Sequence, residues 1–256
     1  MGFPGRELGQ NFLKEESFLE EIAQAIPKGK NVLEIGAGHG ELTKFLAPRA
    51  KKLTAIEKDP TLLPALQKTA AAFKNVVSVN ADALGTSFKP FPYVAGNIPY
   101  SLSSPLLFKI LGGPFKEAVL LLQKEFAQRL VAEPGSEGWS RLAVMAQNAA
   151  EIKIIDEVPK ECFSPVPKVD SLIIHLKSKP AKERLKLDPS TVALLFQHRN
   201  QTVRNALLHS RGALGMEKEE IRQLAEKTGL ADTKVRHLAP AELETLSKSF
   251  YSPKTK

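Results

Sequence analysis

Cysteine is almost absent from this chain: Cys162 is the only one among 256 residues. One thiol cannot close an internal disulfide, which removes the disulfide-stapled small folds and fits a reducing cytoplasm. Cys162 lies beside Phe163 in a proline-rich loop, a poor setting for a nucleophile. Long apolar runs are missing too. No stretch approaches the roughly 18 residues needed to span a membrane. Met1-Gly-Phe-Pro-Gly-Arg6 lacks the apolar centre of a signal peptide. No His/Cys/Asp spacing of the metal-ligand kind occurs, so no metal is expected. Internal repeats and low-complexity tracts are likewise lacking.

What is present describes an ordinary globular protein, with 43% hydrophobic and 25% charged residues. The length allows one large domain or two unequal ones. The net charge of +8 points to a polyanionic partner. Residues 181–256 carry 14 Lys+Arg against 9 Asp+Glu, and the first 180 carry 22 against 19, so the shorter segment is the more basic per residue.

Apolar strand-like runs alternate with helical patterns up to about residue 150: Asn31–Ile35, Lys52–Ile56, Val76–Val79, Tyr93–Gly96 and Ala118–Gln123. Such alternation predicts an α/β fold with a parallel sheet covered on both faces. Ser17-Phe-Leu-Glu20 reads as a capping box for the first helix. Ser104-Pro105 reads as a cap with proline at the first helical position, opening Leu106–Leu111. Glu151–Val158 and Val169–Lys177 then predict two further strands, joined by a loop short enough for antiparallel pairing, giving seven in all. Residues 177–183 read as a linker, and the pattern is helical from Pro189. The expected division is a catalytic domain over 1–180 and a basic, all-helical domain over 181–256.

Val32-Leu-Glu-Ile-Gly-Ala-Gly-His-Gly-Glu-Leu42 is a strand, a glycine-rich turn and a helix start. Gly36, Gly38 and Gly40 allow a tight turn and close approach to a ligand. Glu57 ends the next strand, 21 residues after Gly36, where a carboxylate can accept both hydroxyls of a ribose. A dinucleotide fingerprint needs its third glycine at position 41, which is Glu. A pyrophosphate would meet that carboxylate with no Lys or Arg in the turn. S-adenosylmethionine avoids the conflict, because it is a cation without phosphate. Asp82, after the third strand, can accept from its adenine amine, and Glu34, Glu57 and Asp82 together suit a positive ligand.

Asn97-Ile98-Pro99-Tyr100 follows the strand-like run 93–96. An adenine-type amine can donate to the Asn97 side-chain oxygen and to the Ile98 carbonyl, which Pro99 biases toward extended geometry. Tyr100 can lie on the face of the base.

Taken with Leu8-Gly-Gln-Asn-Phe-Leu13, Arg141-Leu-Ala-Val-Met-Ala-Gln147, Phe163-Ser-Pro-Val-Pro-Lys-Val-Asp-Ser171 and His198-Arg-Asn-Gln-Thr-Val-Arg-Asn-Ala-Leu207, these motifs resemble the small-subunit rRNA adenine dimethyltransferases of the KsgA type over nearly the whole chain. Ser103-Ser-Pro-Leu-Leu-Phe108 and the short tail look closer to archaeal members. The resemblance implies a class I, Rossmann-like methyltransferase fold with a small helical C-terminal domain. It implies S-adenosylmethionine and dimethylation of two adjacent adenosines near the 3′ end of small-subunit rRNA, in the assembling subunit. It implies that Gln10, Asn11 and Leu13 line the cofactor pocket with Gly36, Gly38, Glu57, Asp82 and Asn97. Phe12 and Phe163 then wall the target-adenine pocket, and Tyr100 and Phe163 sandwich the extruded base.

The expected mechanism is in-line displacement governed by positioning, without a strong general base. His198, Arg199, Arg204, His209 and Arg211 are candidates for tracking RNA phosphates. The expected protein is a monomer in the cytoplasm. Erm-type methylation of large-subunit rRNA and a mainly non-catalytic assembly factor stay open as alternatives.

Overall fold

The computed structural model describes residues 11–250. They form two compact units: the first runs to Ala127 and resumes over Ala150–Ser178, and the second takes Gln128–Ala149 and the chain from Lys179 onward.

The first unit is an α/β sheet structure. Its strands are β1 (Phe12–Leu13), β2 (Asn31–Ile35), β3 (Lys52–Glu57), β4 (Val76–Asn80), β5 (Tyr93–Asn97), β6 (Glu117–Gln123), β7 (Ala150–Val158), β8 (Phe163–Ser164) and β9 (Ser171–Ser178). Seven of them make one sheet in the order β4-β3-β2-β5-β6-β9-β7. The first five run parallel, and β9 is antiparallel to β7, as the sequence predicts, and also to β6. The central strands are apolar without alternation because both faces are covered: Val94, Ala95 and the run from Ala118 to Leu122 are buried throughout. β1 and β8 form a separate antiparallel pair.

The helices of this unit include α1 (Glu16–Ala25), α2 (Thr43–Leu46), α3 (Leu63–Ala70) and α4 (Ser103–Leu111). Two expected caps are not made. α1 starts one residue before Ser17, whose hydroxyl meets Glu15 instead of a backbone amide. Pairing of β1 fixes the approach, since the Lys14 amide donates to the Cys162 carbonyl at 2.8 Å. α4 starts at Ser103, running on from a single 3₁₀ turn at Tyr100–Leu102. Pro105 is therefore its third residue, where a missing N–H costs no helical bond.

The second unit is helical. After α5 (Lys124–Leu130) brings the chain into it, α6 (Arg141–Ala149), α7 (Pro189–Gln197), α8 (Val203–His209), α9 (Arg211–Leu214), α10 (Lys218–Lys227) and α11 (Pro240–Phe250) follow. The expected single boundary at residue 180 is corrected here. Trp139, Ala143 and Val144 are buried with Val192, Leu207 and Leu243 in one core, so 128–149 belongs with the C-terminal helices. Trp139 also donates through Nε1 to the Leu238 carbonyl at 3.1 Å. The expected linker is shorter than its composition suggests: β9 reaches Ser178, and Ala181–Glu183 is a 3₁₀ turn.

Two features of the first unit bear on stability. Gly96 in β5 passes so close to β2 that a Cβ there would lie 2.5 Å from the Ile35 carbonyl oxygen. Glu34 is 1% exposed on β2 and accepts a hydrogen bond from the Thr43 hydroxyl at 2.7 Å. Burial outweighs that bond, and with the charges of Glu41 and Glu57 it pushes the Glu34 carboxyl up to about 8.

Gly96→Ala is expected to cost about 1–3 kcal/mol through overpacking against backbone, read as a lower midpoint in urea; an unchanged midpoint would show that the strands can part freely. Glu34 holds a proton in the folded chain that the unfolded chain releases near its ordinary value of 4.5, so its stabilisation is full below that pH and is lost as pH rises to about 8. The Tm of the wild type should therefore fall across that range more steeply than that of Glu34→Gln, and parallel profiles would remove Glu34 as the cause.

Candidate active site

Ile35 pairs with Ile56 on one side and Gly96 on the other, which brings the carboxyl ends of β2, β3 and β5 level. Chain order reverses at β2, with β3 and β4 extending the sheet one way and β5 and β6 the other. Open parallel sheets bind ligands at such a reversal. A cleft opens there, lined among others by Asn11, Phe12, Gly36, Gly38, Glu57, Lys58, Asp82, Asn97, Ile98, Pro99 and Tyr100.

The glycine turn is held by backbone and carboxylate. The Gly36 and Ala37 amides both donate to the Ile56 carbonyl at 3.0 Å. The Gly38 amide donates to Glu57 Oε2 at 2.9 Å, and the Asp59 amide to Oε1 at 2.8 Å. At Gly38 φ is +58°, and a Cβ would come 2.9 Å from Phe12 Cε1, so backbone conformation and close approach both demand glycine. Phe12 thus rests on the turn, its ring centroid 4.6 Å from that of His39. Glu41 accepts from the His39 amide at 3.2 Å and from Lys14 Nζ at 3.3 Å.

Asp82 accepts from the Leu84 amide at 2.8 Å and pairs with Lys58 Nζ at 2.9 Å. The Lys58 hydrogen bond, helped by the Leu84 amide, holds its carboxyl below the ordinary value. Negative charge in the cleft comes from Glu57 and Asp82. Glu34, expected to add to it, faces Thr43, and burial keeps it protonated at neutral pH. The helix after the glycine turn, α2, is a single turn, so it offers little dipole to a pyrophosphate. Carboxylates at the ends of β3 and β4 with a glycine-lined floor suit a cationic adenosine ligand.

Across the cleft, Asn97 donates through Nδ2 to the Asn11 carbonyl at 2.7 Å. With its donor end committed, the amide presents oxygen as its remaining functional end. The Ile98 side chain is buried and its amide donates to the Leu121 carbonyl at 3.2 Å. Its own carbonyl accepts no hydrogen bond among the described residues. Pro99 has φ −55° and ψ 134°, and its carbonyl accepts the Leu102 amide at 2.9 Å, which fixes the turn. The half-buried Tyr100 places its hydroxyl 3.4 Å from Ser171 Oγ, and burial with the Asp170 charge pushes the phenol up.

Two expected site residues lie elsewhere. Leu13 is 2% exposed and Phe163 3% exposed, both in the core of the first unit and outside the cleft lining. The register explains it: Leu13 pairs with Phe163, and Phe12 with Ser164. Partners share a face and neighbours alternate, so the face with Phe12 carries exposed Ser164, while Phe163 turns inward. Gln10 lies outside the described residues. Lys58 was not anticipated, although its position next to Glu57 at a strand end was a usable signal.

In the second unit, Arg199 donates to the Glu137 carbonyl at 2.7 Å, and Arg204 pairs with Glu226 and Asp232. Arg211 is exposed at the start of α9. The rings of His198 and His209 stand 5.0 Å apart.

Comparison with known proteins fits this cleft. The family described as ribosomal RNA adenine dimethylase matches residues 5–244. A probable ribosomal RNA small subunit methyltransferase A of Thermococcus onnurineus is 40% identical over 245 residues, covering 94% of this chain and 90% of that protein. A dimethyladenosine transferase from Plasmodium falciparum superposes with a TM-score of 0.80 at 28% identity, over 93% of this chain and 97% of its own. The 23S rRNA methyltransferase ErmE follows at 0.69 and 29%, over 94% and 99%. The switch-point cleft and the near-complete coverage agree, and the chain belongs to the ribosomal RNA adenine dimethylase family.

Proposed function

We propose that this chain is a small-subunit rRNA adenine dimethyltransferase, acting on the 6-amino groups of two adjacent adenosines in the 3′-terminal hairpin during subunit assembly. The observation that carries the reading is Asn97, whose amide nitrogen is held by Asn11 so that its oxygen is left for an amine. Identity of 40% over nearly the full length to a protein named for the small subunit favours that subunit over the large one. The cofactor is S-adenosylmethionine, which supplies an already activated methyl on sulfur. Gly36, Gly38 and Asn11, which line the cleft, would form its floor and wall, Glu57 would accept from the ribose hydroxyls, and Asp82 would accept from the adenine amine.

The chain's own part is positioning. The lone pair of an adenine amine is delocalised into the ring, so the nitrogen must be drawn out of plane to attack. Two acceptors, Asn97 Oδ1 and the Ile98 carbonyl, take its two hydrogens and aim the lone pair. Tyr100, anchored at Ser171, stacks on the extruded base, an interaction worth roughly 1–3 kcal/mol. Phe163, paired with Leu13, anchors β1 to the core of the first unit. As positive charge passes to the amine, the same two oxygens stabilise it until the proton leaves to water. The first unit carries this chemistry, and the second unit contacts RNA. An assembling ribosomal subunit as substrate fits the cytoplasm.

Purified small subunits lacking the modification, incubated with labelled cofactor, should acquire dimethyladenosine at two adjacent positions. Label only in large subunits would make the protein Erm-like, and tight binding with no label would make it an assembly factor. Asn97→Ala should lower transfer by about a hundredfold or more, the scale for losing one preorganised group at a reacting centre, with little change in cofactor affinity; full activity would sink the amine grip. Arg211→Ala should reduce the salt slope of RNA binding by about 1. Arg199→Ala should leave that slope alone and lower thermal stability, since its guanidinium bonds within the second unit.

A further inference from the structure

Lys109 stands outside the cleft lining yet is tied to it. It lies on α4, whose first residue follows the turn that carries Tyr100. Its ammonium donates to the Ala83 carbonyl at 2.9 Å and to the Leu84 carbonyl. It also sits 4.7 Å from the centroid of the Phe88 ring. All three contacts fall in one loop, the one that leaves β4 and bears Asp82.

That loop needs an outside anchor. The Asp82 carbonyl accepts the Gly85 and Thr86 amides, both at 3.0 Å, which curls residues 82–86 into a tight turn. The curl leaves the Ala83 and Leu84 carbonyls without a backbone donor among the described residues. Ala83 is only 8% exposed, so an unmet carbonyl there would be costly. A lysine meets the need because its ammonium carries three donors and no acceptor, on a stem long enough to reach from the helix. Lys58 holds the same loop at a different point, through the Asp82 carboxylate. The grips differ: Lys58 holds the reading group, and Lys109 holds the backbone that aims it.

We infer that Lys109 is a positioning residue for the cofactor's adenine, fixing the Asp82–Phe88 loop from the helix that begins at the target-base motif. The inference rests on the proposed S-adenosylmethionine site, and on Asp82 accepting from the adenine amine. No contact between Lys109 and the ligand is involved.

The test measures calorimetric affinity for S-adenosylhomocysteine and for its analogue lacking the 6-amino group. The proteins are wild type, Lys109→Met, which keeps the stem without donors, and Lys109→Arg, whose fork can still bridge two carbonyls. Lys109→Met should weaken the amino ligand roughly tenfold, the scale of one lost set of charge-assisted bonds. It should weaken the analogue much less, and raise KM for S-adenosylmethionine while leaving kcat nearly unchanged. Lys109→Arg should recover most of the loss. Equal affinity in Lys109→Met and wild type, or an equal loss for both ligands, overturns the inference, since general loosening would not single out the amine. Wild type that binds neither ligand overturns the cofactor reading and this inference with it. Should Lys109→Met fail to fold, Lys109→Leu, which also lacks donors, carries the same comparison.

Discussion

Both oxygens of Glu57 accept a backbone amide, one from the glycine turn and one from the loop after β3, and the side chain is 4% exposed. The site depends on this carboxylate. A buried charge is tolerable only when donors replace its water, and here the donors belong to the two loops that form the cleft floor. Moving either loop would leave part of the charge unsolvated, so the charge enforces their shape. The parallel sheet delivers the three pieces to one place, because Glu57 closes β3 at the level where Gly36 leaves β2. An acceptor with two occupied oxygens still has lone pairs for ribose hydroxyls, so the residue that builds the floor can also read the ligand.

A second tie works on the opposite wall. An asparagine offers one donor end and one acceptor end, and which end faces the cleft is decided by what the other end meets. The Asn11 carbonyl takes the donor. The segment entering β1 therefore sets the chemical character of the motif after β5, across 86 residues of sequence. β1 in turn is held by β8 and by the Lys14–Glu41 pair. This wall of the cleft is thus built from four separated stretches, none of which has the required geometry alone.

Much of this was legible in the sequence, for identifiable reasons. The sheet strands were found because apolar runs buried on both faces contrast sharply with their flanks, and the antiparallel end because short loops exclude crossovers. Glu57, Asp82 and Asn97, which line the cleft, stood out because strand ends followed by polar residues are where α/β sheets bind. Most of the misses share another cause: they were settled by a partner far along the chain. The face of Phe163 depends on a two-residue pairing with β1 that no periodicity announces. The caps at Ser17 and Ser104 lost to a strand pair and to a preceding turn. The segment 128–149 reads as a continuation of the first domain until Trp139 is seen in the helical core. Lys109 reads as an ordinary helix-surface lysine until its ammonium is seen among the carbonyls of another loop.

Charge shows the same distinction between what a sequence counts and what a fold uses. The formal +8 and the basic tail point to a polyanion, and the family agrees. Several cations that make up that sum are nevertheless engaged internally. Arg199 bonds backbone carbonyls, Arg204 is shared by two carboxylates, and Lys109 and Lys58 secure one loop. On the acidic side, Glu34 counts as −1 in the sum but is kept protonated at neutral pH by its burial. Net charge therefore indicates the class of partner, while the footprint on RNA must come from cations whose donors are not already taken. Among the described residues Arg211 is exposed and no acceptor is seen at its guanidinium, whereas Arg199 is bonded to backbone, although the sequence presents them as equals.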